Sequence, residues 1–144
     1  MAMTSIPDDT LRAYRSAIYR IDGEPPIDMI IDEKNDAVAS LLARHGVTSA
    51  VFLTAFNPFG EILGEHENAV RQEALVAYIG RSGRTALAGA GIDPGGVWRA
   101  EVSLFVLGAD EFVADELMAV FEQNAVVIVR EDGVPRLRLH RRYR

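Results

Sequence analysis

Between Val51 and Arg130, stretches with the pattern of strands and of helices follow one another in the order β-α-β-β-α-β. That order limits the fold more than any other feature of the chain. Residues 51–55 form a short apolar run that stops at Asn57-Pro58, and residues 64–80 follow as a helix with Val70, Ala74, Ala77 and Tyr78 as its apolar stripe. Residues 85–91 read as a strand, Asp93-Pro94-Gly95-Gly96 as a turn, and 98–107 as another strand. Asp110 is placed to cap a helix over 110–123 with Val113, Leu117, Val120 and Phe121 inward, and 125–130 is the closing strand of the set. This predicts an α+β fold, a split βαβ (ferredoxin-like) sandwich, with a mainly antiparallel sheet and both helices on one face.

The flanking segments extend that core. Residues 8–21 read as a short helix turning into a strand, because Leu11, Tyr14, Ile18 and Ile21 share a helical face while Ala17, Tyr19 and Ile21 share a strand face. Residues 27–31 make a short strand, and Asn35 caps a helix with Val38, Leu41, Leu42 and His45 on one side, ended by Gly46. Beyond the core, 134–139 adds a last strand. One domain over 1–144 is expected, with its core at about 50–139 and a tail at 140–144, of which the charged residues 141–144 lack a core pattern and are expected to be mobile or held only by a partner.

Composition bounds the chemistry. The chain is 49% hydrophobic and 25% charged, the mix of a globular protein able to build its own core. Its apolar runs are too short to cross a bilayer, no leader pattern opens it, and a cytoplasmic protein is the expectation. With no cysteine, disulfides, thiolate metal sites and cysteine nucleophiles are excluded. Net charge is −6, and outside residues 134–144, which hold five arginines and no acid, it is −11. Such a body repels a phosphate backbone and argues against nucleic acid as a partner. The alternation of Arg136, Arg138 and His140 with Leu137 and Leu139 suits a charged edge strand better than an RNA contact.

The split βαβ order also places chemistry. It brings the end of the 51–55 strand, the starts of the strands at 98 and 125, the end of the strand at 91 and the start of the first core helix to one edge of the sheet. Thr54, Asn57, Asn68, Arg71, Glu101 and Gln123 meet there as candidate ligand-binding residues. Arg71 would face an anionic, nucleotide-like ligand, Asn57, Asn68 and Gln123 would read hydrogen-bond edges, and Glu101 would be a base or anchor, with Arg71 within reach of Glu101. The alternative is a structural network in which Arg71 pairs with Glu101 and the amides satisfy loop backbone.

Other motifs carry less. Gly89 to Gly96 fails the dinucleotide fingerprint because Pro94 takes the third glycine position and a strand follows. His45, His66 and His140 are scattered, so no metal site is expected, and no cofactor is implied. Gly80-Arg81-Ser82-Gly83 is not a nucleophile elbow.

Thr54-Ala55-Phe56-Asn57-Pro58, Glu67-Asn68 with Arg71, Asp93 with Trp98 and Glu101, and Phe121-Glu122-Gln123-Asn124-Ala125 together resemble the bacterial domain-of-unknown-function family 3293. Phe56 stands where that resemblance leads one to expect Trp. The resemblance implies a shared fold and a shared polar edge, and no activity. Three functions follow as expectations: a ligand-binding or regulatory domain, a hydrolase or transferase using Glu101 and Arg71, or a protein-interaction module. Assembly into a homo-oligomer is left open.

Overall fold

The computed structural model describes residues 5–144; the expectation about a leader rests partly on residues 1–4, outside that range. The elements run α1 (Asp8–Ser16), β1 (Ile18–Ile21), β2 (Ile27–Met29), α2 (Asp36–Arg44), β3 (Ser49–Leu53), a 3-10 turn (Pro58–Gly60), α3 (Glu65–Ser82), β4 (Ala86–Ile92), β5 (Glu101–Leu107), α4 (Glu111–Phe121), β6 (Ala125–Arg130), β7 (Arg136–Leu139) and a second 3-10 turn (Arg141–Tyr143). The seven strands form one sheet in the order β2-β1-β4-β5-β3-β6-β7. Every neighbouring pair is antiparallel.

β3 sits between β5 and β6 and is covered on both faces, which is why Ala50, Val51, Phe52 and Leu53 are all buried rather than alternating. On one face Val51, Leu53, Leu104, Val106 and Ile128 pack against Leu75 and Ile79 of α3 and Leu117, Met118 and Phe121 of α4. On the other, Ala50, Phe52, Phe105, Val127 and Val129 pack against Val38, Leu41 and Leu42 of α2. The caps are those the sequence announces: Asn35 Oδ1 accepts from Val38 N at 3.0 Å, and Asp110 Oδ1 accepts from Val113 N at 3.0 Å.

Two helical faces differ from expectation. The inward stripe of α3 is Asn68, Gln72, Leu75 and Ile79, and Val70 is half exposed. The first two turns of α3 pack on the chain that leaves β3, whose backbone groups need polar partners, so amides outcompete Val70 for the buried side. Val120 of α4 also faces outward, one position off the Leu117–Phe121 stripe. The strand expected from residue 98 begins only at Glu101, because residues 93–98 are held in a loop by Asp93.

The tail is the third correction. Residues 141–144 are docked. The Arg142 guanidinium lies 4.0 Å over the Phe59 ring, Tyr143 Oη donates to Asn124 Oδ1 at 2.6 Å, and Arg144 reaches Asp115 at 3.3 Å. The arginines of the edge strand β7 are paired within the chain as well, Arg136 with Asp132 and Arg138 through two 2.9 Å bonds with Asp115. The acidic body that repels phosphate attracts its own basic end.

Candidate functional site

The antiparallel pairings do bring the end of β3, the end of β4, the starts of β5 and β6 and the start of α3 to one edge. In register, Leu53 faces Leu104, Gly91 faces Glu101 and Phe52 faces Val127. Of the polar residues gathered there, Asn68, Arg71 and Gln72 stay outside the α1-side cavity, Glu101 lines it, and Thr54, Asn57 and Gln123 both bond loop backbone or its braces and reach it.

On the α3 side the side chains hold backbone. Arg71 Nε donates to Ala55 O at 2.7 Å, its Nη2 to Phe121 O at 2.5 Å, and its Nη1 approaches Glu122 at 3.4 Å. Gln72 Oε1 accepts from Ala55 N at 3.0 Å, and Thr54 Oγ1 donates to Val102 O at 2.8 Å. Gln123 Nε2 donates to Phe56 O and Phe121 O. The expected Arg71–Glu101 pairing is therefore corrected. The guanidinium turns to the carbonyls of two chain turns and to Glu122, and its bonds among the described residues include none to Glu101.

Asn57 joins the two sides. Its backbone is left-handed, with φ of 50°, immediately before Pro58. The conformation costs free energy in any residue with a side chain, but asparagine tolerates it better than most. Here it is held by a network. Asn57 N donates to Asn68 Oδ1 at 2.9 Å, Asn57 Oδ1 accepts from Asn68 Nδ2 and Leu63 N, both at 3.0 Å, and Asn57 Nδ2 donates to Glu101 Oε2 at 3.1 Å.

Beyond Glu101, on the other side of the sheet, lies a cavity of about 390 Å³. α1 roofs it. No residue of that helix is buried, although Ile6 and Ala17 on either side of it are. Tyr19 Oη donates to Tyr14 O at 2.5 Å, and Asn124 Nδ2 donates to Tyr14 Oη at 3.3 Å. The wall is largely apolar and aromatic: Tyr14, Tyr19, Phe52, Phe56 and Trp98 contribute rings, and Gly91 leaves open space where a side chain would stand. Trp98 is delivered by the Asp93 loop. Although desolvation pushes the Asp93 carboxyl up, the backbone N–H groups of Gly95, Val97 and Trp98 together hold it below the usual range.

Glu101 lines this cavity. Burial pushes its carboxyl above the ordinary range, with the Asn57 hydrogen bond only partly opposing. Its Oε1 accepts no hydrogen bond among the described residues, whereas Oε2 is held by Asn57. Burial also raises the Tyr14 and Tyr19 phenols, so both stay neutral donors. Among the described residues no Lys, Arg or His lines the cavity; its charged residues are Asp9 and Glu101.

Of the six expected site residues, Thr54, Asn57, Glu101 and Gln123 touch the cavity, while Asn68 and Arg71 stand behind it. Arg71 does not line the cavity that Glu101 lines. Tyr14, Tyr19 and Gly91 were not foreseen as wall residues. The available signal was a pair of tyrosines on the apolar face of a helix–strand junction and a glycine inside a strand. His66, at the start of α3, and His45, at the end of α2, are exposed, and among the described residues no group of three His, Cys, Asp or Glu could hold a metal ion.

The model of the family DUF3293, proteins of unknown function, matches residues 53–126. The chain belongs to DUF3293. The match contains all six expected site residues and the Asp93–Trp98 loop, and it leaves out α1, β1 and β7, which complete the cavity of this DUF3293 member. No curated protein and no solved structure matches the chain.

Proposed function

We propose that this chain is a small-molecule-binding domain whose ligand occupies the cavity beneath α1. The observation that carries the reading is a largely apolar, aromatic-lined space of about 390 Å³ whose lining includes a carboxylate with one oxygen free of a hydrogen-bond partner among the described residues. That volume lies within the ~300–1,000 Å³ typical of small-molecule sites, and a mostly apolar wall with few convergent polar groups is their usual composition. An anionic, nucleotide-like ligand rested on Arg71. With that guanidinium engaged by carbonyls and the wall carrying only acidic charge, the reading passes to a neutral or cationic ligand.

Two further readings belong with this one. The order β4-β5-β3-β6, with α3 and α4 on one face, supports taking residues 49–130 as a split βαβ unit to which β1, β2, α2 and β7 are added. A cytoplasmic location is retained on the lack of cysteine, and no described helix is long and apolar enough to cross a membrane.

Trp98, the only tryptophan of the chain, lines the cavity and reports on it directly. Titration with the neutral probe 2-phenylethanol is expected to change Trp98 fluorescence saturably. Gly91→Leu adds a side chain into the open space at β4 and should abolish that response while leaving the fold intact. An unchanged titration in the variant, or no saturation in the wild type, overturns the reading.

A further inference from the structure

The cavity has a polarity that its volume alone does not express. Its lining carries the carboxyl groups of Glu101 and Asp9, the aromatic residues Tyr14, Tyr19, Phe52, Phe56 and Trp98, and, among the described residues, no cationic side chain. Asn57 holds Glu101 Oε2 at 3.1 Å and so restrains the group, leaving Oε1 without a hydrogen-bond partner among the described residues, in a cavity that Glu101 lines. Asn57 is itself fixed by Asn68 and Leu63, so the carboxylate sits on a braced support rather than a mobile side chain. A charge half removed from water and left without a counterion is an unfavourable arrangement unless something completes it. A cation completes it by pairing with the carboxylate, in a space lined by the aromatic residues Trp98, Tyr14 and Phe56, whose ring faces attract cations.

We propose that Glu101 is the counterion for the ammonium group of a small aryl or alkyl amine, with the aromatic wall receiving its apolar body. This rests on the cavity being a ligand site and specifies what enters it. An acid end group would face two carboxylates with no donor of positive charge, and is excluded by the same wall. A neutral alcohol would gain the apolar contacts but leave the carboxylate uncompensated. The terminal ammonium of a lysine side chain offers the same chemistry as a free amine, and the test below separates these two sources.

The test compares 2-phenylethylammonium, 2-phenylethanol and phenylacetate, followed by Trp98 fluorescence in the wild type, Glu101→Gln and Gly91→Leu. The wild type should bind the amine at least about tenfold more tightly than the alcohol, a difference typical of one partly desolvated charge pair, and phenylacetate least. Glu101→Gln keeps the acceptor for Asn57 and should erase the amine preference while retaining alcohol binding, which also shows the variant to be folded. Gly91→Leu, with Glu101 untouched, should lose both. Nα-acetyl-lysine amide, titrated in parallel, supports a free amine as the ligand if it binds more weakly than 2-phenylethylammonium and a lysine side chain if it binds more tightly. Equal binding of amine and alcohol, or a preference that survives Glu101→Gln, overturns the counterion assignment and leaves the cavity reading standing. Failure of all the probes to bind removes the cavity reading, and this assignment with it.

Discussion

The two sides of the sheet edge use similar residues to opposite ends. On the α3 side Arg71, Gln72 and Asn68 direct their polar atoms at loop backbone, and Gln72 Nε2 is the one buried side-chain atom left without a partner among the described residues. On the α1 side Glu101 is bound through one oxygen only, under a helix with no buried residue. The first side closes its hydrogen bonds on backbone beside an open apolar hollow lined by Phe56, Val76 and Val102, and the second opens a carboxylate to a cavity. A polar cluster deduced from topology thus divides into a clamp and a site according to which face of the strand each residue takes. Glu101 and Ser103 point to the α1 side of β5, Val102 and Leu104 to the α3 side.

The clamp should yield the largest effect when broken. Arg71→Ala removes the donors to Ala55 O and Phe121 O in a side chain that is only 22% exposed. Leaving buried acceptors unsatisfied costs about 1–3 kcal/mol each, so we expect a loss of about 3 kcal/mol in urea unfolding. A loss below about 1 kcal/mol would mean water replaces the guanidinium there, and the contrast between the two sides would dissolve.

Asn57 serves both sides, and its substitutions separate backbone strain from hydrogen bonding. Asn57→Ala should cost about 2 kcal/mol or more, because it loses the bonds to Asn68, Leu63 and Glu101 and keeps an unfavourable φ. Asn57→Gly loses the same bonds but adopts φ of 50° freely, so it should be about 1 kcal/mol more stable than the alanine variant. Equal stability of the two would show that the left-handed turn is not under strain.

Much of this architecture was legible before any coordinates, and the parts that were not share a cause. Strand order and the gathering of the polar residues follow from local patterns, because antiparallel neighbours put strand ends and strand starts together. The side to which each residue points did not follow. Val70, Ala74, Ala77 and Tyr78 make a plausible stripe for α3, and Tyr78 does pack against the core, but what α3 meets in its first turns is loop backbone, and Asn68 and Gln72 satisfy it. The pairing of Arg71 with Glu101 failed for the same reason, since helix and strand approach the edge from different faces. The cavity was invisible because it depends on α1, a segment whose strand and helix periods overlap, being held off the sheet by tyrosines. The tail was misjudged because its partners, Phe59, Asn124 and Asp115, are distant in sequence.

Removing residues 141–144 sharpens the comparison from the cavity side, since Tyr143 braces Asn124, which in turn braces Tyr14 of the roof. Loss of the Arg142–Phe59 stacking and the Tyr143 bond should lower stability by about 1–2 kcal/mol in thermal or urea unfolding. The same truncation should loosen the hold on α1 and weaken probe binding. A truncated protein as stable as the full chain would return the tail to the role of a solvated end.

The smallest effect concerns Glu101 without any ligand, and its sign is the informative part. Burial raises this carboxyl above the ordinary range, so in the folded protein it keeps its proton to higher pH than in the unfolded chain. The folded state then binds more protons through that window, and stability contributed by Glu101 falls as pH rises from the ordinary carboxylate range through the raised pKa. Asp28, Asp115 and Asp132 are shifted the other way, each chiefly by hydrogen bonding from its arginine, and their contributions are lost as pH falls. Those contributions are common to wild type and Glu101→Gln, so the difference in melting temperature between the two isolates Glu101. Glu101→Gln should match the wild type in acid and become the more stable protein toward neutral pH. A wild type that gains on the variant as pH rises would mean that the carboxylate is already compensated in the folded chain. The contrast between a clamp on loop backbone and an open site would then lose its open half.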